Sequence, residues 1–125
     1  MASEKNFENR MKKWLEKQGV YSLGTPEQDI TIPPCGYWEK RWGNRMTSSG
    51  LPDMHIVINN KSLEVEIKAP NGKASELQKH MIEQIIKSGC NGAILYEHGE
   101  DIPNDGFAYY IDYWMFEKVI KHYAM

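Results

Sequence analysis

The feature that most constrains this chain is a period-two alternation on either side of Asn59-Asn60. Met54, Ile56 and Ile58 alternate with Asp53, His55 and Val57, and Leu63, Val65 and Ile67 alternate with Ser62, Glu64, Glu66 and Lys68. Side chains of a strand point alternately to its two faces, so each run reads as a strand with one apolar face. Asparagine tolerates the positive φ that a two-residue type I′ turn demands, which makes Asn59-Asn60 a hairpin turn. The register follows. With those two residues as the turn, Met54 faces Val65, Ile56 faces Leu63, and Asp53 falls opposite Glu66. A shift by one residue would set Met54 against Glu66 and mix the faces, so the alternation itself selects this register.

The rest of the chain supplies helices to cover that sheet. Its 125 residues suit a single domain over residues 1–125. Phe7, Met11, Trp14, Leu15 and Gln18 form one stripe of a helix from about Ser3 to Gln18, stopped by Gly19. Residues 20–52 are rich in Gly, Pro, Thr and Ser and read as a long loop, with a short strand around Asp29 to Ile32 ended by Pro33-Pro34. Ser75 to Ser88 is the second helix, with Ser75 as N-cap, Gly89 as the stop, and Leu77, Met81, Ile82, Ile85 and Ile86 as its apolar arc. Gly92 to Tyr96 is a buried-type strand. Asn104 to Gly106 is a turn before a strand at Phe107 to Ile111, and a last helix runs from about Asp112, with Phe116, Val119, Ile120 and Tyr123 on one stripe. This order predicts an α/β sandwich, a central mixed β-sheet flanked by helices.

Composition narrows the function classes. Residues of the hydrophobic set make up 41% of the chain, near the globular norm once glycine is added, which excludes a disordered or collagen-like chain. The longest apolar stretches, such as Ala93 to Tyr96, fall far short of a membrane span. The opening residues show no apolar run ending in a small-residue cleavage site, so a cytoplasmic location is expected. Cys35 and Cys90 have no partner at metal-ligand or redox spacing and read as reduced thiols. The formal charge of −2 removes the inference that a basic protein binds nucleic acid, so any such surface must be local.

Asp53 and Glu66 carry the chemistry. Facing residues on adjacent antiparallel strands have β-carbons about 5 Å apart, close enough for two carboxylates to share one divalent ion. Without a cation, like charges directly opposite destabilise a sheet. Lys68 lies on the same face, where an ammonium can neutralise charge or contact a phosphate and its attacking water. On its own the Glu66-x-Lys68 pair is better explained, with Glu64, as an exposed strand face, and the pairing with Asp53 is what favours a phosphodiester-cleaving site. Gln78 falls near the middle of its helix's apolar arc. It either orients a metal-bound water or an active-site carboxylate, or closes an S-x-x-Q capping box with Ser75. Glu8 flanks the first helix's stripe and can reach inward, although a helix start also attracts glutamate through its dipole.

A local nucleic-acid surface is carried by Tyr37, Trp38, Lys40, Arg41, Trp42 and Arg45, a run that pairs aromatic platforms with cations, together with Lys73 further on. Trp38 and Trp42 also suit a core or dimer contact. His55, opposite Glu64, has no assigned role, and His80, His98 and His122 form no ligand pair.

Taken in order, Gly50-Leu51-Pro52-Asp53, the hairpin, Glu66-Ile67-Lys68 and Gln78 resemble the PD-(D/E)XK nuclease superfamily. Within it the chain is most similar to the VRR-NUC family of virus-type replication-repair nucleases. The Tyr37 to Trp42 run ahead and Lys68-Ala69-Pro70 behind sharpen that resemblance, which covers roughly Tyr37 to Tyr96, with Glu8 matching the first-helix carboxylate. It implies a restriction-endonuclease-like fold and a Mg²⁺-dependent DNA endonuclease, with Mn²⁺ as a substitute metal. Asp53 and Glu66 would bind the metal, helped by the Ile67 carbonyl and by Glu8; Lys68 would assist the attacking water, and Gln78 would support the site. Stand-alone members of this size resemble phage Holliday-junction resolvases that work as homodimers on branched DNA in the host-cell cytoplasm. Glu64, an extra carboxylate, and His55, in place of an apolar residue, depart from the pattern. The alternatives are a sequence-specific restriction-type nuclease and a non-catalytic nucleic-acid-binding module on the same fold.

Overall fold

Asn59 and Asn60 take φ of 48° and 71°, the left-handed pair that folds a hairpin back with the twist of its strands. The hairpin belongs to a computed structural model that describes residues 2–41 and 50–125. Its strands are β3 (Met54–Ile58) and β4 (Lys61–Lys68), and their pairing, Met54 with Val65 and Ile56 with Leu63, is the register that the alternation predicts. Around them lie α1 (Ala2–Lys17), β1 (Val20–Ser22), β2 (Gly36–Lys40), α2 (Glu76–Lys87), β5 (Gly92–Tyr96), β6 (Tyr110–Asp112) and α3 (Tyr113–Ala124).

Among the described residues six strands form one sheet in the order β1-β2-β3-β4-β5-β6. β1 runs parallel to β2, β3 is antiparallel to both of its neighbours, and β4, β5 and β6 are parallel. Every strand but β3 therefore ends at the edge of the sheet where β3 begins. That edge carries Ser22, Lys40, Lys68, Tyr96 and Asp112 at strand ends and Asp53 just before β3.

The two faces are packed separately. Phe7, Met11 and Leu15 of α1 and Phe116 and Ile120 of α3 bury one face against Met54, Ile56, Ile58, Leu63, Val65, Ile67 and Leu95. On the other face Ile82 of α2 packs with Ala74, Ile94 and Tyr96. Alternation along β4 thus sends Leu63, Val65 and Ile67 under α1 and α3, and Glu64 and Glu66 to the side covered by α2. The mixed sheet with helices on both faces is the α/β architecture that the element order predicts.

Three expectations change. Residues 20–52 are not one loop, because β1 and β2 lie within them; β1 has three residues and β2 reads in sequence as an aromatic-basic run, so neither shows a usable period. No strand forms at Asp29 to Ile32. A 3-10 turn covers Glu27–Asp29, and the amides of Thr31 and Ile32 donate to the Tyr21 hydroxyl, each at 3.2 Å, so a side chain replaces a neighbouring strand. The strand expected at Phe107 to Ile111 begins later, at Tyr110, since Asp105 Oδ1 accepts the Phe107 amide in a turn.

Gly36 is the tightest point of the sheet. A β-carbon there would sit 2.1 Å from the Val57 carbonyl oxygen and 2.8 Å from Ile58 Cα, both backbone atoms that cannot rotate away. Gly36→Ala is expected to destabilise the fold by about 1–3 kcal/mol, read as a fall in urea midpoint with an unchanged m-value.

Candidate active site

β3 starts at Met54, so Asp53 stands one step beyond the last ladder pair, and the register continues it opposite Glu66. Its carboxylate replaces the missing strand: Asp53 Oδ2 accepts the Ile67 amide at 2.9 Å. Glu66 is 4% exposed. Its Oε2 accepts from Gln78 Nε2 at 3.1 Å and lies 3.5 Å from Lys68 Nζ. Burial, and then the Asp53 carboxylate beside it, push the Glu66 carboxyl up to about 8 against the opposing pull of Lys68. Asp53, Glu66, Lys68 and Gln78, predicted from three separate stretches of sequence, are therefore brought to one place at the end of the sheet.

Glu66 Oε1 is buried and no donor among the described residues reaches it. A buried oxygen without a partner costs on the order of 1–3 kcal/mol, and here it belongs to a carboxyl that already faces a second anion. A divalent cation between the two carboxylates would remove both penalties, and hard oxygen donors are what Mg²⁺ and Mn²⁺ take. The donor set fits such an ion. Among the described residues no three His, Cys, Asp or Glu side chains converge, so the set consists of two carboxylates and the backbone carbonyl of Ile67, the residue after Glu66.

The Gln78 side chain closes the capping box and reaches Glu66 at once. Its Oε1 accepts the Ser75 amide at 3.0 Å while Ser75 Oγ accepts the Gln78 amide at 3.0 Å, which is the capping box. Its Nε2 is left free to donate to Glu66. The start of α2 thereby fixes the amide that orients the Glu66 carboxyl.

Glu64 and His55, without a role in sequence, form a second polar cluster on the same face. Arg41 Nη1 lies 2.5 Å from Glu64 Oε1 and donates to the Pro52 carbonyl at 3.0 Å, and His55 Nδ1 bonds Glu64 Oε2. The Arg41 amide also donates to the Asp53 carbonyl at 2.6 Å. Arg41, expected on the nucleic-acid surface, instead neutralises Glu64 and ties down the Pro52-Asp53 backbone. The sequence signal was Glu64 itself: once α2 covers that face of the sheet, a carboxylate two residues before Glu66 is buried and needs a cation.

Other expected DNA contacts are placed less openly than the sequence suggests. Trp38 is 9% exposed and packs in the core beneath α1, with Lys12 Nζ 5.2 Å from its ring centroid. It is a core tryptophan, because alternation along β2 turns it to the apolar face. Lys40 Nζ lies 2.7 Å from Glu8 Oε1 and Lys12 Nζ 2.8 Å from Glu8 Oε2. Burial raises the Glu8 carboxyl, but those two ammonium groups outweigh it and hold the group below its ordinary value. Glu8 is thus buried among lysines and not joined to Asp53 and Glu66. Tyr37 is half-buried, edge-on to His55. Lys73 is exposed beside a cleft of about 410 Å³ lined also by Pro70, Asn71, Asp101 and Asp105. Trp42 and Arg45 lie outside the described residues.

The comparison with protein families agrees with this geometry. The model of the VRR-NUC domain matches residues 3–98, a span that takes in Glu8, the hairpin, Lys68, Gln78 and β5. No curated protein and no solved structure matches the chain. No helix among the described residues is long and apolar enough to cross a membrane.

Proposed function

We propose, from the premise that this chain belongs to the VRR-NUC family of PD-(D/E)XK-type nucleases, that it is a divalent-metal-dependent DNA endonuclease acting on branched DNA as a homodimer. The observation that carries the reading is the Asp53-Glu66 pair, a buried Glu66 carboxyl beside the half-buried Asp53, with one Glu66 oxygen lacking a partner among the described residues. Asp53 and Glu66, with the Ile67 carbonyl, would hold Mg²⁺, with Mn²⁺ able to substitute. When bound, the cation supplies Lewis-acid charge against the phosphodiester and makes water a nucleophile near neutral pH.

The remaining work falls to the chain's own side chains. Lys68, held 3.5 Å from Glu66, orients the attacking water and offsets the charge that develops on the phosphoryl oxygens. Gln78 keeps Glu66 in one rotamer. The Ile67 amide and the Arg41 contacts keep Asp53 at the mouth of the strand gap, so the site is ordered before substrate arrives. One domain has one such site, whereas resolving a junction needs two cuts. A two-fold pair of domains presents two symmetric sites to two symmetric strands, which supports the branched substrate and the homodimer together.

The test is cleavage of a labelled four-way junction and its matched linear duplex, with Mg²⁺ or EDTA, by the wild-type chain and Glu66→Ala. Metal-dependent cutting of the junction, lost in Glu66→Ala, is expected. Equal cutting of both substrates would keep the nuclease and remove the branched-DNA preference. Cutting of one duplex sequence regardless of branching would indicate a restriction-type enzyme, and tight DNA binding without cleavage in either Mg²⁺ or Mn²⁺ a binding module.

A further inference from the structure

Under the edge of the sheet a single buried carboxylate holds several ammonium groups. Glu8, 3% exposed, has Lys40 at 2.7 Å, Lys12 at 2.8 Å and Lys5 at 3.7 Å. One ammonium group is enough to neutralise a buried Glu8, so the additional cations need another explanation. Lys12 and Lys40 line a cleft of about 270 Å³ together with Ser22, Leu23, Trp38 and the exposed Glu39. An ammonium has three donors, and the pairing with Glu8 occupies only part of that capacity. Trp38 adds a buried indole N–H with no acceptor among the described residues. The cleft thus presents ammonium donors from Lys12 and Lys40 on the side of α1, their two charges set against Glu8 and Glu39.

Its position relates it to the catalytic pair. Lys40 and Ser22 end β2 and β1 at the same edge of the sheet that holds Asp53 and Lys68. Neighbouring strands are about 4.8 Å apart, so β2 and β4 lie roughly 10 Å apart along that edge, with the cleft on the α1 face and Glu66 on the α2 face, and a nucleic-acid strand passing round the edge joins them in a few nucleotides. We propose that this cleft binds a backbone phosphate of the substrate strand a few nucleotides from the scissile bond, with Lys12 and Lys40 as its contacts and Glu8 as the counter-ion that seats them. The proposal rests on the nuclease reading above and gives Glu8 a role other than metal ligand. Both Glu8 oxygens already face ammonium groups, which a cation at that carboxylate would have to displace.

The test is DNA affinity in EDTA as a function of salt, which needs neither metal nor turnover. Lys12→Met leaves Glu8 with Lys40 and Lys5, so its burial stays compensated. Lys12→Met and Lys40→Met are each expected to weaken binding roughly tenfold at low salt and to lower the salt slope by about 1, with Lys12→Arg restoring both. Lys13→Ala, which removes the same charge from an exposed position, is expected to leave the slope unchanged. Glu8→Gln is expected to keep the rise in Tm that Mg²⁺ produces. If wild type binds DNA and the Lys12 and Lys40 variants behave like Lys13→Ala, the phosphate site is wrong and the nuclease reading stands. Loss of the Mg²⁺ effect in Glu8→Gln would return Glu8 to the metal and overturn the proposal. A wild-type chain that binds no DNA would remove both.

Discussion

Replacing Asp53 with asparagine is expected to abolish cleavage and, at the same time, to stabilise the metal-free fold. Asparagine keeps an oxygen for the Ile67 amide, which now donates to Asp53 at 2.9 Å, so the local backbone has no reason to move. What disappears is the negative charge that, after burial, does most to push Glu66 away from ionisation. A carboxylate pair that binds a cation is worth several kcal/mol in the transition state, so the loss of turnover should be at least roughly a thousandfold. Stability should move the other way, because like charges facing each other across a strand pair are relieved. The measurement is Mg²⁺-dependent cleavage beside a thermal melt in EDTA near pH 8. Retained cleavage would place the active site elsewhere. A lower Tm would show that Asp53 serves the fold before it serves the chemistry.

The second large effect is a dependence of stability on pH that divalent metal should cancel. Glu66 is pushed up to about 8 in the folded chain, burial first and Asp53 second, whereas an unfolded glutamate titrates near its ordinary value. The folded state therefore binds a proton that the unfolded state releases. Its contribution to stability is fully present below the unfolded pKa and is lost as pH rises from there to about 8. Glu8, depressed by Lys12 and Lys40, acts in the opposite sense and only at acid pH, below its ordinary value. In EDTA the Tm should thus fall by at least roughly 5 °C between about pH 5 and pH 8. Glu66→Gln should flatten that profile. Millimolar Mg²⁺ should raise Tm near pH 8, where the carboxylates ionise to receive it, and change little near pH 5. A wild-type profile that is level in EDTA would contradict the environment assigned to Glu66.

These two predictions come from a site whose members were legible one at a time. The hairpin, its register and the opposition of Asp53 and Glu66 follow from sequence because strand alternation is local and a one-residue slip exposes every apolar side chain. The helix over residues 76–87 and its Ser75-Gln78 box were equally readable, since a cap is a contact over three residues. β1 and β2 were not. Short strands are stabilised by the neighbours they join, and no window of the chain contains those neighbours.

The same division runs through the site. Sequence by itself determined that two carboxylates and a lysine share one strand face, because residue spacing decides on which side of a sheet each lies. Only the tertiary structure decided which donor meets which acceptor. Lys40 goes to Glu8, Arg41 to Glu64 and Pro52, and Gln78 to Glu66, across separations of 11 to 32 residues. Charge type alone does not choose among such partners. The choice depends on which side of the sheet each side chain emerges from and on what α1 and α2 then bury, so Trp38, Lys40 and Arg41, which read in sequence as an open binding surface, become internal support of the end of the sheet that carries Asp53 and Glu66.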